Sequence, residues 1–562
     1  MPQQGLSDIL RIDEPSLIRA AEILFIAVIM SADVVILARQ LSLPGLYYDE
    51  ASHAVYGALL LSGTPWTQFW GPPIVYTIRG WKILGSVDYY VGPLQGYVAL
   101  VSMYFLGISP IALRIPPIFF TICTIPFLYC LMRKRFGKMP ALVTTLSFAF
   151  NPSVLLYTRI GFWVMLPVVF LVVSALYFLD KWLSTRNIRN LIIASIIIGL
   201  GIQTFITVTW FALAGLIVTL LYLRIIPRPR EIAASLASFL CGVGPFLLPW
   251  LDGRDLSFFY HYSQVSHGGV NNLAYFANFA ARIVQFKAIM ESSTFGFFGG
   301  IHANLFNVVV FCVSFLGIIV LLISRPGQSE TRRGKTVIIL LFSLMFLQTP
   351  ITINSLQPYH LLIFLPFSLI IVGVFFGSLW NGEWMTHTWA RSRKRKLKYT
   401  RVLLLLVLCI SVLVDATTLQ AYQSDLSRSG GTGFWTDAVY AAAAYLQDIN
   451  CTNVAALDWG LSYPLIIASA GRLNVYDVFW TSQLFVNQVN FLIRTSSDHQ
   501  LCFVSWTGPL GRIHQVSPVT AENLLARSGY SLQYLKTFYQ RDSTPAIMVF
   551  RLDEASCLEI DD

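Results

Sequence analysis

Charge is what this chain of 562 residues has least of: Asp, Glu, Lys and Arg make up 12% of it, against 55% for the apolar types. That balance excludes a single soluble core. Other signatures are missing as well. There is no Cys-x-x-Cys and no His cluster with zinc-site spacing, no GxxxxGK[ST] phosphate loop, and no GxGxxG after a strand. No internal repeat is found, and the acids inside apolar runs are few, Asp33 and Asp415. Secondary transporters usually show both repeats and ionisable residues at mid-membrane, so a transporter is the rival reading rather than the leading one.

What the chain has instead is apolar runs near the ~20 residues that a spanning helix needs. Eleven are read, at 18–41, 115–132, 139–157, 164–180, 191–208, 209–225, 231–250, 303–323, 336–353, 359–380 and 401–420. The first is too long for a signal-peptide core of roughly 7 to 15 residues and is kept as a span. The expected class is an α-helical polytopic membrane protein. The net charge of +10 fits that class: five loops between spans, beginning at Arg133, Lys181, Arg224, Arg325 and Arg391, hold 21 of the 39 Lys and Arg residues. Their alternation places the N-terminus in the cytoplasm and makes the lipid bilayer, not nucleic acid, the partner of the positive charge. The multi-pass chain is thus expected in the cell membrane.

That topology leaves 92–107 outside, lying on the membrane, because counting it as a span would invert every later loop. Two outer loops follow, 43–114 and 251–303, the second rich in aromatics, Asn and His. Residues 1–422 are read as the membrane domain and 423–562 as a soluble extracytoplasmic α/β domain. In the latter, a helix-like 434–449 alternates with strand-like runs at Asn453, Leu501 and Ala546, and a helix start lies near Ser517. Five of the eight cysteines lie in spans; Cys451 and Cys502 begin two candidate neighbouring strands, positions from which a disulfide can form.

The stretch LPGLYYDEASHAVYG, from Leu43, sets Asp49 and Glu50 just past the first span. One reading makes Asp49 the cap of an amphipathic interfacial helix, Glu50–Leu61. The other makes a carboxylate at the lipid boundary a general base for an acceptor hydroxyl. The two are compatible.

LYYDEA after the first span, GPLQGYVALVSMYFLGISPIALRIPP from Gly92, FNPSVLLYTRIGFWVMLP from Phe150, PYHLLIFLPFSLI from Pro358, then GTGFWTDAVYAAAAYL and VAALDWGLSYPL in the outer domain follow one another in a familiar order. Together they resemble the polyprenyl-phosphate-dependent GT-C glycosyltransferases of the protein O-mannosyltransferase and lipid A aminoarabinose transferase group, over nearly the whole chain. The resemblance implies the GT-C fold. It also implies a sugar donor linked to polyprenyl phosphate, an acceptor hydroxyl on a protein, glycan or lipid of the cell envelope, and inverting transfer on the extracytoplasmic side. Asp49 would be the base and Glu50 its support. Arg114, Arg159, His360 and Lys82 are the candidates for the donor phosphate, and His53, Tyr260, His261, Tyr262 and His267 for substrate contacts. No cofactor is implied; one acidic pair makes only part of a cation site, so no metal ligands are assigned. The chain departs from the group in three places. It has Gly92 and Pro93 where a cation commonly precedes the proline, no acid follows Arg159, and His360 stands where the group has Lys or Arg. A catalytically silent relative acting as a partner protein is the further alternative.

Overall fold

The structure is a computed structural model that describes residues 14–63, 74–87, 91–161, 165–251, 253, 266–267, 270–324, 330–352, 356–385, 393–479, 482–495, 501–507, 517–527 and 529–554. Among these, seven helices are long and apolar enough to cross a membrane: Ala20–Ala38, Pro110–Phe136, Pro167–Thr185, Pro229–Leu251, Leu305–Ser324, Pro358–Trp380 and Lys394–Ser429. The pair Lys138–Ala149 and Pro152–Arg159, bent by 44° at its break, makes an eighth if it is one span. The remaining three expected spans are helical too, as Ile188–Thr204, Val208–Ile217 with its continuation, and Glu330–Gln348, but they fall short of that length or apolarity. Large apolar side chains stand exposed along the outer helices, among them Val28, Phe119, Leu316, Val320 and Leu403. In a bundle of this composition, that apolar girdle is the lipid-facing surface. Pro358–Trp380 is the reverse case. It is apolar all round and enclosed on all sides, as a central helix must be.

The segment 92–107 forms a helix, Leu94–Leu106, of 13 residues. At 1.5 Å per residue it covers about 20 Å, too little to span. It is docked by Gly92, whose N–H donates to the Gln203 carbonyl at 2.7 Å; a Cβ there would fall 2.3 Å from that oxygen, so glycine permits the approach. The expected loop 251–303 is not structureless: it holds the helix Tyr275–Met290.

The last span continues without a break to Ser429, so the expected boundary at 423 falls inside a helix. Beyond it lies a five-stranded sheet in the order 474–477, 453–456, 501–506, 545–554, 530–539. The first three strands are parallel; 545–554 runs antiparallel to 501–506, and 530–539 pairs antiparallel with 545–554, so it points the same way as the first three. Helices Ala438–Asp448, Ser462–Ala468, Ser482–Thr495 and Pro518–Ala526 cover it, the last capped by Ser517, whose hydroxyl accepts from the Thr520 N–H. A disulfide joins Cys451 and Cys502, 51 residues apart.

The sheet does not own its core alone. Val454, Ala456, Cys502 and Val504 share one apolar cluster with Leu46, Ala51, Ala54, Val55, Leu59, Met103 and Leu113 of the segment 43–114. Trp435 adds a second tie, stacked between Tyr47 and Phe297 with ring centroids 4.4 Å away on each side. It thus clamps both outer loops to the outer domain, each aromatic pair adding about 0.5–1.5 kcal/mol beyond area burial.

Candidate active site

Asp49 lies in the first turn of a five-residue helix, Tyr48–Ser52, whose cap position is Tyr47. The expected helix 50–61 is therefore two pieces, broken at His53 and resuming at Val55–Ser62, and Asp49 is not its cap. Nor is it amphipathic and interfacial: Val55 to Leu59 are all buried, packed under helix Ser462–Ala468 of the outer domain.

The helix sends its two acids in different directions. Glu50 is fully buried and takes Arg114 in a two-pronged grip, with Nε donating to Oε1 at 2.7 Å and Nη2 to Oε2 at 3.0 Å. Arg114 sits early in helix Pro110–Phe136, which Ser109 caps and Pro110 opens, and its third nitrogen donates to the Leu41 carbonyl at 2.9 Å. Burial pushes the Glu50 carboxyl above its ordinary range while the guanidinium pulls it back. Gly161, at φ +67°, lies directly over the pair; a Cβ there would stand 2.5 Å from Glu50 Oε1. Tyr440 closes the other side, touching Arg114 and donating to the Ser42 carbonyl at 2.9 Å.

Asp49 remains partly exposed and accepts a hydrogen bond from the Tyr359 hydroxyl. Tyr359 and His360 open the central helix; the Gln357 N–H donates to His360 Nδ1 at 2.8 Å, closing a capping box. The His360 ring stacks on Phe205 with centroids 5.3 Å apart and lies close enough to His53 for the two charges to repel. Burial first, and that neighbour second, hold the His53 ring down to about 4, so it is neutral at ordinary pH. The structure thus brings Asp49, Glu50, His53, Arg114 and His360 to one place, where their sequence separation had left them apart.

Arg159, at the end of helix Pro152–Arg159, is also buried there, donating to the carbonyls of Arg39 and Gln40 at 2.5 and 2.7 Å. Its charge is felt by Arg114 and by Arg39, an exposed cation one residue past the first span. Arg114, Arg159 and Arg39 are therefore neighbouring guanidiniums, of which Arg114 is the one gripped by Glu50. Arg39 was missed in the sequence because a cation ending a span reads as an ordinary snorkelling residue. Arg282, near His360, lies on helix Tyr275–Met290, inside the stretch whose sequence reads as a loop. Lys82 stands exposed on the hairpin Ile74–Ile78 and Trp81–Ser86. Tyr260, His261 and Tyr262 lie outside the described residues, and His267 is described only as the backbone of a two-residue strand. Among the described residues, no cluster of three or more His, Cys, Asp or Glu has the grouping that holds a metal.

Fold and site together define a multispan membrane protein with a half-open acidic and basic centre packed against a C-terminal α/β domain. Residues 91–250 match the family model described as dolichyl-phosphate-mannose-protein mannosyltransferase. The chain superposes on ArnT from Cupriavidus metallidurans, bound to undecaprenyl phosphate, at TM-score 0.59 and 13% identity over 93% of this chain and 98% of that one. The apo form of the same protein gives 0.59 over 94% and 98%. The Archaeoglobus fulgidus oligosaccharyltransferase in its apo form gives 0.50 at 13% identity, over 92% and 74%. No curated protein matches the chain in sequence. The chain has the GT-C fold with a C-terminal sheet domain, and the resemblance to polyprenyl-phosphate-dependent glycosyltransferases holds.

Proposed function

We propose that the chain moves a sugar from a polyprenyl-phosphate carrier to an acceptor hydroxyl on the extracytoplasmic face, by a single inverting displacement with Asp49 as general base. The observation that carries this reading is the division of labour in one short helix: Glu50 is consumed by Arg114, while Asp49 beside it stays partly exposed and takes a hydrogen bond from Tyr359. The acceptor O–H gives its proton to the Asp49 carboxylate as its oxygen bonds to the sugar's anomeric carbon. The bond from that carbon to the phosphate oxygen breaks, its electron pair leaving with the carrier phosphate. Such a leaving group needs fixed cations more than a general acid. Arg159 and Arg39 are assigned that work; Arg114 is assigned to positioning Glu50 and the helix, and His360, capped through Nδ1, to the wall near His53.

Two features support the orientation: the basic loops, and a disulfide in the outer domain, which suits an oxidising compartment. ArnT binds undecaprenyl phosphate, and this chain is assigned a carrier of the same class. The test is carrier phosphate release from synthetic polyprenyl-phospho-sugars by purified protein in nanodiscs. Asp49→Asn should lower turnover roughly 100-fold or more while donor binding persists. A folded Asp49→Asn protein with near-normal turnover removes Asp49 as the base. Donor binding without release by the unaltered protein favours the silent-partner reading.

A further inference from the structure

A cavity of about 510 Å³ lies at the end of the bundle away from Asp49. Helix Pro110–Phe136 measures the separation. Arg114 stands near its start at the site, and Arg135 in its last turn is on the cavity, about 31 Å further along at 1.5 Å per residue. About half of the lining is apolar, with Leu131, Leu176, Phe211, Val218 and Leu341 contributed by four helices. One wall is the π-helical turn Val218–Tyr222, a rare element that often marks functional sites. The volume falls in the range of ordinary ligand pockets.

One part of the lining is charged. Lys134 Nζ is 2.9 Å from Asp180 Oδ2 and 3.1 Å from Ser184 Oγ; Arg135 bonds the other Asp180 oxygen through Nε and Ser184 Oγ through Nη2 at 2.9 Å. One carboxylate therefore faces two cations. Arg333, on the facing helix Glu330–Gln348, donates to the Leu223 carbonyl at 2.9 Å and joins no ion pair among the described residues, leaving three cations against Asp180 and Glu330. Apolar walls with a cationic, hydroxyl-bearing patch match a molecule that is a hydrocarbon chain at one end and an anion at the other.

We propose that this cavity binds an anionic phospholipid of the bilayer, its phosphate between Arg333 and the Lys134–Arg135 pair and its chains along the apolar wall. The bound lipid joins helices 110–136, 165–185, 208–222 and 330–348 at the end that the outer domain does not brace. It is independent of the catalytic reading, since the carrier phosphate is assigned to the opposite end.

Gly215 supplies the test. It lines the cavity, and a Cβ there meets nothing within 4 Å, so Gly215→Leu fills the space without removing a charge. The thermal midpoint is measured in nanodiscs of phosphatidylcholine alone and of an equal mixture with phosphatidylglycerol, at matched ionic strength. The unaltered protein should gain at least about 2 °C in the mixture, and Gly215→Leu should keep its phosphatidylcholine midpoint but lose the gain. An equal gain in Gly215→Leu would overturn the proposal, because surface charge alone would then explain it. Should that variant not fold, Arg333→Gln replaces it, with at least half the gain lost if the proposal holds and none lost if it fails. A third arm adds polyprenyl phosphate to phosphatidylcholine. A Gly215-dependent gain there, with none from phosphatidylglycerol, overturns the assignment of the ligand to the bilayer's phospholipid.

Discussion

Glu50→Gln tests whether the acid beside Asp49 works by holding the helix in place. The substitution replaces one carboxylate oxygen by an amide nitrogen, so that a donor faces the Arg114 donors across a site with no water access. The bonds of Arg114 to the Leu41 carbonyl and to Tyr440 are untouched, but both bonds to the carboxylate are altered. Charge-assisted bonds are worth about 1.5–3 kcal/mol each, and breaking one partner of a buried pair costs about 3–5 kcal/mol, much of it the penalty of a stranded charge. Glu50→Gln should therefore destabilise the purified protein by about 3–5 kcal/mol in reversible unfolding and reduce turnover, because Asp49 loses its footing. Arg114→Met should do the same by stranding the carboxylate. The double variant strands neither charge and should recover at least about 2 kcal/mol relative to the sum of the single costs. Additivity within about 0.5 kcal/mol would refute the pairing as the source of the effect. If Glu50→Gln instead kept full stability and lost turnover, while Asp49→Asn kept it, the base would be Glu50.

Gly161→Ala should cost about 1–3 kcal/mol and lower turnover, because it combines a strained left-handed backbone with a methyl group driven onto Glu50; unchanged unfolding would show that the glycine is replaceable. His53 gives the pH dependence: its ring is held down to about 4, whereas an unfolded chain takes up that proton near the ordinary value of about 6.5. The unfolded state thus binds more protons between those values, so this contribution is complete above about pH 6.5 and is lost as pH falls toward 4. His53→Gln should flatten that acid slope by less than about 1.4 kcal/mol per pH unit, the one-proton limit, since the ring is partly exposed and screened. Equal slopes in both proteins between pH 4 and 6.5 would remove His53 as the cause.

The long spans were legible because a bilayer demands apolar runs that few other structures need, and their exposed Val28, Phe119 and Leu403 carry that signal directly. The strands at 453–456 and 501–506 were legible from short β-rich runs, and the cysteines at their starts are indeed joined. What stayed hidden was tertiary. Glu50 and Arg114 are 64 residues apart, and nothing in either neighbourhood announces the other. The break at His53 has no signal in Ala51 to Ser62, an unremarkable helix-forming run; both pieces pack under helix Ser462–Ala468. Strands 474–477 and 530–539 give weak signals, the first being short and the second mixing Tyr, Leu and Phe with Ser, Gln, Lys and Thr. The need for glycine at 161 is set by a carboxylate that arrives from another part of the chain.

The expected membrane domain and C-terminal domain share packing around Asp49. Leu46, Ala51, Val55 and Leu59, which surround Asp49 in sequence, are buried in the same cluster as Val454 and Val504 of the sheet. Trp435 extends that tie to Phe297 in the second outer loop. The helix carrying Asp49 is thus fixed from the sheet side by apolar packing and from the membrane side by Arg114 gripping Glu50. A base useful to transfer must be held within a fraction of an ångström of a productive line. Two anchors on opposite sides of a five-residue helix provide that better than either alone, and they leave the Asp49 carboxylate as the part of the helix still open to an acceptor.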